Sequence, residues 1–301
     1  LISLKRPSID FLRGQLAFMR SYADLRAERA GEINIQVSDI MSYFGSIGYL
    51  DVNRRKYSFE ILYAAFRLAA HLENYAKHLC ATIRPIDLDT RVMPIIQTPS
   101  HSSFPSGHAF EAFMIAGVLF RLMSGERVSK GVDPDREIEG SDGVVKKVGP
   151  AQPFKIAARI AVNRPIAGVQ FPVDNIAGAI AGCVMADAFC DVAERGYAVP
   201  SNVDLSKLVK VKTTTDGEDP KTLDFSLSKV HGYLTTSSAF PAEIQTQLDE
   251  YIAQGQAQFK DSTNTTGSLC FPAFLFHQPV LRQTWKDAKA EWNNSPIKGV
   301  E

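Results

Sequence analysis

The stretch SSFPSGHAFEAF, from Ser102 to Phe113, places proline, serine, glycine and histidine in a row where an apolar helical pattern begins. Small residues at a helix start leave backbone N–H groups without partners, and together with the helix dipole these groups can bind an anion. His108 beside them could exchange protons with that anion. A capped turn with Ser106 as the N-cap explains the same residues, so the choice depends on what else converges here.

Two further segments carry charged side chains at defined spacings. In KHLCATIRP, Lys77 and Arg84 lie seven residues apart, close to two helical turns, so both project from one helix face. In NRPIAGVQFPVD, Arg164 is followed by Gln170 and Asp174. Taken singly, a solvated basic face explains the first pair, and a helix N-cap explains Asp174.

The order Lys-x6-Arg-Pro, Pro-Ser-Gly-His and Arg-x9-Asp resembles the three-part signature of the type 2 phosphatidic acid phosphatase superfamily. That superfamily includes soluble bacterial acid phosphatases and the vanadium-dependent haloperoxidases. The resemblance covers about a hundred residues, 77–174. It implies an all-α helical bundle of the acid phosphatase/vanadium haloperoxidase type, with vanadate as the cofactor or phosphate in the same place.

The resemblance also implies a role for each matching residue. The three cations would hold a tetrahedral oxyanion, helped by a serine hydroxyl and by the N–H of a glycine, which can approach closely because it has no side chain. In the family, the histidine that matches His108 acts as general acid or hydrogen-bonds the apical oxygen of vanadate. The expected oxyanion-binding residues are Lys77, Arg84, Ser106, Gly107, His108 and Arg164.

Gln170 departs from the family pattern, which has a second histidine four residues before the aspartate. That histidine attacks phosphorus in the phosphatases and is the vanadium ligand in the haloperoxidases. A carboxamide has no basic nitrogen lone pair, so Gln170 can hydrogen-bond an oxyanion but should not form a phosphoryl intermediate. Three explanations stay open: an introduced substitution, a natural site without a covalent step, or replacement by another histidine. Asn163, where the family usually has serine, is a smaller departure.

Among the remaining histidines, His101 is the strongest candidate for a catalytic role. It lies seven residues before His108. At the matching position the bromide-oxidising haloperoxidases also have a histidine, whereas the chloride-oxidising ones have an aromatic residue. An ordinary loop histidine is the simpler explanation. The predicted catalytic set is therefore His101, His108, Asp174 and the family's histidine position, Gln170.

The elements that must position these residues have helical patterns. Apolar residues recur at helical spacing in SIDFLRGQLAFMRSYADLRAERAGEI, where Ser8 is the expected N-cap. The same spacing predicts helices over about Ser58–Ile83, His108–Met123, Phe154–Arg164, which Pro165 should end, and roughly Val173–Glu194. We expect residues 1–200 to form a bundle with a surface excursion at 124–153, and residues 201–301 to form a less regular C-terminal extension packed on the same domain.

Composition restricts the classes of partner. Lys and Arg number 33, as do Asp and Glu, so no global field favours nucleic acid. The four cysteines show neither metal-site spacing nor a disulfide framework. The longest apolar runs are predicted to be too short to span a membrane, which favours a soluble protein. The chain opens with Leu1, so a cytoplasmic and a secreted or periplasmic location both stay open. The composition is also compatible with assembly into a homo-oligomer.

The leading functional expectation is a haloperoxidase-like enzyme, in which vanadate and hydrogen peroxide oxidise bromide or a similar halide, or a variant of one impaired by Gln170. One alternative is an acid phosphatase that hydrolyses a phosphate ester, because one fold and one anion site can serve both reactions. Two others are a non-catalytic oxyanion-binding protein and a vanadium-independent enzyme that uses His108 as an acid–base group.

Overall fold

The computed structural model describes residues 4, 6–128, 137–139, 145–147, 152–195, 225–226, 230 and 279–293. The helices are α1 (Ile9–Ala23), α2 (Arg26–Gln36), α3 (Lys56–Cys80), α4 (Pro85–Leu88), α5 (Gly107–Ser124), α6 (Gln152–Ala167), α7 (Pro172–Arg195) and α8 (Pro279–Asn293), with short 3₁₀ turns at Met41–Phe44, Ile47–Tyr49 and Thr90–Val92. The predicted all-α fold is confirmed. Inside the predicted excursion, β1 (Glu137–Glu139) and β2 (Val145–Lys147) form a two-stranded antiparallel ribbon.

Helix α5 is the central element of the bundle and packs against α3, α6 and α7. Its pattern is apolar on most sides, and most of its residues are buried, as expected for a helix surrounded by others. Ser106 caps it as predicted, because the Ser106 hydroxyl accepts the N–H of Ala109 at 3.3 Å. At the other end, Gly125 adopts a positive φ of 73° and ends the helix.

Two glycines allow α7 to approach α5 closely. A Cβ added at Gly178 would lie 2.4 Å from the carbonyl oxygen of Ser106, and one at Gly182 would lie 2.4 Å from that of Phe110. Real Cβ atoms essentially never approach so near, so any side chain here would push the two helices apart. The small residues of this segment therefore set the position of α7 relative to the start of α5.

Helix α6 does not end at Pro165, as the sequence predicted, but continues to Ala167. Proline has no N–H, so the carbonyl of Ala161, four residues earlier, loses its normal helical donor. The side-chain amide of Asn175 donates to this carbonyl at 2.9 Å and replaces the missing hydrogen bond. The helix can therefore hold Pro165 near its end without leaving the buried carbonyl unsatisfied.

The C-terminal helix α8 packs on α3, α5 and α7. Its Glu291 carboxylate accepts the backbone N–H groups of Tyr57 and Ser58 at 2.9 and 3.0 Å, so it caps the first turn of α3. The guanidinium of Arg55 lies 3.6 Å from the ring centroid of Trp292. Apart from α8 and three isolated residues, the predicted extension at 201–301 lies outside the described residues, so its packing and the domain division stay predictions.

The span from Pro172 to Glu194 in α7 is, by length and composition alone, long and apolar enough to cross a membrane. The prediction that the apolar runs are too short for this was therefore wrong. In this structure 67% of the most apolar stretch is buried within the protein, a property that core helices of soluble proteins share.

The glycine contact between α5 and α7 can be tested by a pair of matched substitutions. We expect Gly182→Ala to lower the free energy of unfolding by about 1–3 kcal/mol, because the added methyl group meets backbone. Gly31→Ala is the control, since Gly31 is a helix-interior glycine of α2 with nothing within 4 Å of its added Cβ. That change should stabilise the protein by up to about 1 kcal/mol, as alanine favours helix. This account would be contradicted if urea unfolding showed that both substitutions change the free energy of unfolding in the same direction.

Candidate functional site

The loop that enters α5 is held by hydrogen bonds from two neighbouring segments. The Ser103 N–H donates to the carbonyl of Thr82, just after α3, at 3.0 Å. The Ser106 N–H donates to the carbonyl of Asp174, in the first turn of α7, at 2.9 Å. These bonds bring the three segments singled out by the sequence to one place, at the N-terminal ends of α5 and α7.

Lys77 and Arg84 are buried beside this loop, with 2% and 4% of their surfaces exposed, so they do not form a solvated basic face. The Lys77 ammonium donates to the carbonyl of Pro105 at 2.5 Å. The Arg84 guanidinium donates to the carbonyls of His101, Ser102 and Val169 at 3.0, 3.2 and 2.8 Å. Arg84 therefore ties the loop before α5 to the segment before α7.

His101 lies directly against Arg84, with its Nδ1 atom 3.2 Å from Nη2 of the guanidinium. Burial, followed by the charges of Lys77 and Arg84, lowers the pKa of His101. A pocket of about 270 Å³ opens beside it, lined by Asn74, Lys77, His78, Ala81, His101 and Ser102. Of the two histidines in the predicted catalytic set, His101 is thus the one that lines this pocket.

Gln170 lies at the centre of a chain of hydrogen bonds. Its Oε1 atom accepts the Ser106 hydroxyl at 2.6 Å, and its Nε2 atom donates to the Ser103 carbonyl at 3.3 Å. Asp174 does not bond the Gln170 amide. The Asp174 carboxylate instead accepts the Ser103 hydroxyl and, at 2.8 Å, the N–H of Phe171. Gln170 is therefore held through both of its side-chain polar atoms.

Arg164 and His108 meet at Gln36, the last residue of α2. The Arg164 guanidinium donates to the Gln36 side-chain oxygen at 3.1 Å, and Asn163 donates to the same oxygen at 2.9 Å. The Nε2 atom of His108 lies 2.9 Å from the Gln36 backbone carbonyl, which can only accept, so this nitrogen carries the proton. The Nε and Nη1 atoms of Arg164 are buried and lack any hydrogen-bond partner among the described residues.

Burial and the excess of positive charge shift the pKa values of the site. Burial, with help from the Arg164 charge, lowers the pKa of His108 to about 3, so the ring is neutral at physiological pH. Burial also lowers the pKa of Arg164 to about 10, which leaves it charged. Burial raises the pKa of Asp174 to about 6, against the lowering effect of the Ser103 hydrogen bond.

The space beside Gly107 is occupied by a side chain of the protein, not by the oxyanion that the sequence suggested. A Cβ at this position would lie 1.9 Å from Oε2 of Glu73, whose carboxyl group packs against the first turn of α5. The absence of a side chain thus makes room for a carboxyl group of the protein itself. Whether the Gly107 N–H also contacts an oxyanion stays a prediction.

Three residues of this cluster escaped the sequence analysis. Gln36 precedes Arg164 by 128 residues, and nothing in its surroundings marks it. Glu73 stands four residues before Lys77, the spacing of an ordinary surface ion pair on a helix. Ser103 could have been noticed as a polar residue next to the Pro-Ser-Gly-His segment. Among the described residues, no group of three or more His, Cys, Asp or Glu side chains could hold a metal ion.

One comparison with known proteins gives a match over the part of the chain that carries these residues. Residues 60–195 match the model of the PAP2 superfamily, and this range contains every predicted site residue. It extends from the first half of α3 to the end of α7, somewhat less than half of the chain. A search of curated proteins found no match.

Two arginine substitutions should separate structural from binding roles at this site. Arg84→Met removes the donors to three carbonyls, so we expect the free energy of unfolding to fall by about 2–4 kcal/mol. Arg164→Met removes a buried cation in which two nitrogen atoms, Nε and Nη1, lack hydrogen-bond partners among the described residues. The free energy of unfolding in anion-free buffer should therefore stay the same or rise. Equal destabilisation of the two variants in urea unfolding would show that Arg164 is as well satisfied as Arg84.

Proposed function

We propose that this PAP2-type site binds a tetrahedral oxyanion, phosphate or vanadate, without forming a covalent bond to residue 170. The anion would lie near the N-terminus of α5, within reach of Arg164, Lys77 and Ser106. The helix dipole and the three buried cations favour negative charge there. The PAP2 match over residues 60–195 supports the same class of ligand.

The observation that carries this proposal is the unsatisfied guanidinium of Arg164. A buried N–H without a partner costs about 1–3 kcal/mol, and more when the group is charged. Two such atoms on one residue are unusual in a native protein and call for a ligand. A phosphate-like oxyanion offers paired oxygen acceptors that match the planar fork of arginine and supplies the missing negative charge.

Gln170 does not fit a covalent step or a protein–vanadium bond. Its Oε1 atom already accepts from Ser106, and its Nε2 atom donates to a carbonyl. A carboxamide nitrogen has no basic lone pair with which to attack phosphorus or to ligate vanadium. The donor set therefore suits an anion held by hydrogen bonds and charge, and turnover through residue 170 should be poor.

His108 is neutral in the anion-free protein, so it cannot act as an acid until its charge environment changes. Burial and the charge of Arg164 are the main causes of its low pKa. A bound oxyanion would offset the Arg164 charge and raise the pKa of His108, because a nearby opposite charge favours the protonated ring. His108 would then become competent to hold and transfer a proton at the anion.

The finer candidate is a haloperoxidase-type enzyme impaired by Gln170, and the placement of His101 favours it over an acid phosphatase. His101 contacts Arg84 and lines the 270 Å³ pocket, the place from which a halide or an organic substrate could approach. Vanadate would be held at the oxyanion site by hydrogen bonds and charge alone, because Gln170 cannot replace the histidine ligand of that family. A haloperoxidase would use bromide and hydrogen peroxide as substrates, whereas an acid phosphatase would use a phosphate ester.

Anion binding itself can be measured through thermal stability. We expect phosphate at a hundredfold excess over its dissociation constant to add about 2.7 kcal/mol of stability and to raise Tm. Arg164→Met should weaken phosphate binding by roughly 10–100-fold, the loss of charge-assisted hydrogen bonds. Arg67→Met, which removes an exposed arginine of α3, is the matched control and should bind phosphate normally. An unchanged Tm with phosphate would contradict the proposed function.

The chemistry lost at residue 170 should be recoverable. We expect Gln170→His to raise turnover by several powers of ten, up to about 10⁴–10⁶, since this is the size of the loss when a nucleophile is removed from a hydrolase. Bromination with vanadate and peroxide, assayed beside hydrolysis of a phosphomonoester, identifies which reaction the site supports. Gln170→Asn is the control and should gain neither activity.

A further inference from the structure

A buried carboxyl group that the proposed function does not use lies at the edge of the oxyanion site. Glu73 is on α3, one turn before Lys77, and only 7% of its surface is exposed. Its carboxyl group packs against Gly107, the first residue of α5. Its Oε2 atom is buried and has no hydrogen-bond partner among the described residues. An acidic oxygen thus points at the N-terminus of the helix where the anion is proposed to bind.

Burial keeps a proton available to Glu73 near neutral pH, although the neighbouring cations act against it. Burial raises its pKa to about 7, although Lys77 and Arg84 act in the opposite direction. On α5, burial and the charge of Glu73 raise the pKa of Glu111 to about 8. The charge of Asp174, on α7, favours the protonated forms of Lys77 and Arg84. Burial therefore favours the protonated, uncharged form in this coupled pair of carboxyl groups.

The protonation state decides what Glu73 can do for an anion. A protonated carboxyl group has one O–H donor, which would satisfy both its own unpartnered oxygen and an oxygen of the anion. An ionised carboxylate has acceptors only, and its charge repels the anion through a low-dielectric interior. Both effects favour binding to the protonated form.

We propose that Glu73 is a further binding residue of the oxyanion site, which in its protonated form donates a hydrogen bond to the bound anion. This inference rests on the proposed function, because it needs an anion at the N-terminus of α5. It makes anion binding proton-linked: above pH 7 the protein takes up a proton when the anion binds. The proton is taken up and not released because the anion binds more tightly to protonated Glu73. Anion binding therefore raises the pKa of Glu73.

Sulfate is the best probe for this linkage, because it stays a dianion across the neutral range whereas phosphate itself titrates. In calorimetric titrations from pH 5.5 to 8.5, sulfate affinity should be highest at low pH and fall by up to about tenfold per pH unit above 7, the limit for one proton. Repeating the titrations in buffers of different ionisation enthalpy counts the protons taken up.

Three variants of α3 assign the proton to Glu73. Glu73→Gln keeps an N–H donor without a charge, so it should keep the low-pH affinity and lose most of the decline at high pH. Glu73→Ala lacks both donor and charge, so it should bind weakly at low pH and also show little decline. Glu60→Gln, at an exposed position of the same helix, should behave as the wild type.

The outcomes separate this inference from the proposed function. A wild-type protein that binds neither sulfate nor phosphate at any pH overturns both. Anion binding that depends on Arg164, but is independent of pH or declines equally in Glu73→Gln and the wild type, overturns only the role of Glu73. If Glu73→Gln does not fold, Glu73→Ala replaces it in the test. A steep decline of sulfate affinity with pH that persists in Glu73→Ala also overturns the role of Glu73.

Discussion

Buried positive charge is the constraint on which the rest of this structure depends. Lys77, Arg84 and Arg164 are nearly completely enclosed, and none of them forms a salt bridge with a described residue. An ion held in this way costs several kcal/mol unless dipoles or a counterion compensate for it. Backbone carbonyl groups accept hydrogen bonds from Arg84, and one carbonyl accepts a hydrogen bond from Lys77. The main hydrogen-bond acceptor of Arg164 is the side-chain amide oxygen of Gln36. The imbalance lies where helix α5 begins, so the contacts that pack the helices also position the proposed anion site.

The same close contact that builds the core also places the site. Gly178 lets α7 approach the carbonyl of Ser106, and the Ser106 N–H donates to Asp174 at the start of α7. Arg84 then ties the loop to Val169, one residue before Gln170. The residues that would touch an anion are therefore held by backbone contacts between helices. A substitution at residue 170 can change the chemistry while leaving this framework in place.

Sequence patterns predicted the helices and the grouping of three charged segments, because helical periodicity and a known motif order are both local signals. They could not predict residues whose importance arises only on folding. Gln36 looks like any polar residue at a helix end, yet it lies between Arg164 and His108. Glu73 has the spacing of a surface ion pair, and only its burial against Gly107 reveals otherwise. Pro165 should have ended its helix, but Asn175, ten residues later, supplies the missing donor. Each miss involves a partner that the local sequence does not contain.

The carboxylate of Glu291 bonds the first N–H groups of α3, a helix that begins more than two hundred residues earlier. During synthesis, α3 leaves the ribosome long before this partner exists. The first turn of the helix that carries Lys77 therefore lacks this cap until α8 has been synthesised. The N-terminal cap of this helix thus comes from outside the span 77–174, which contains the residues of the predicted site.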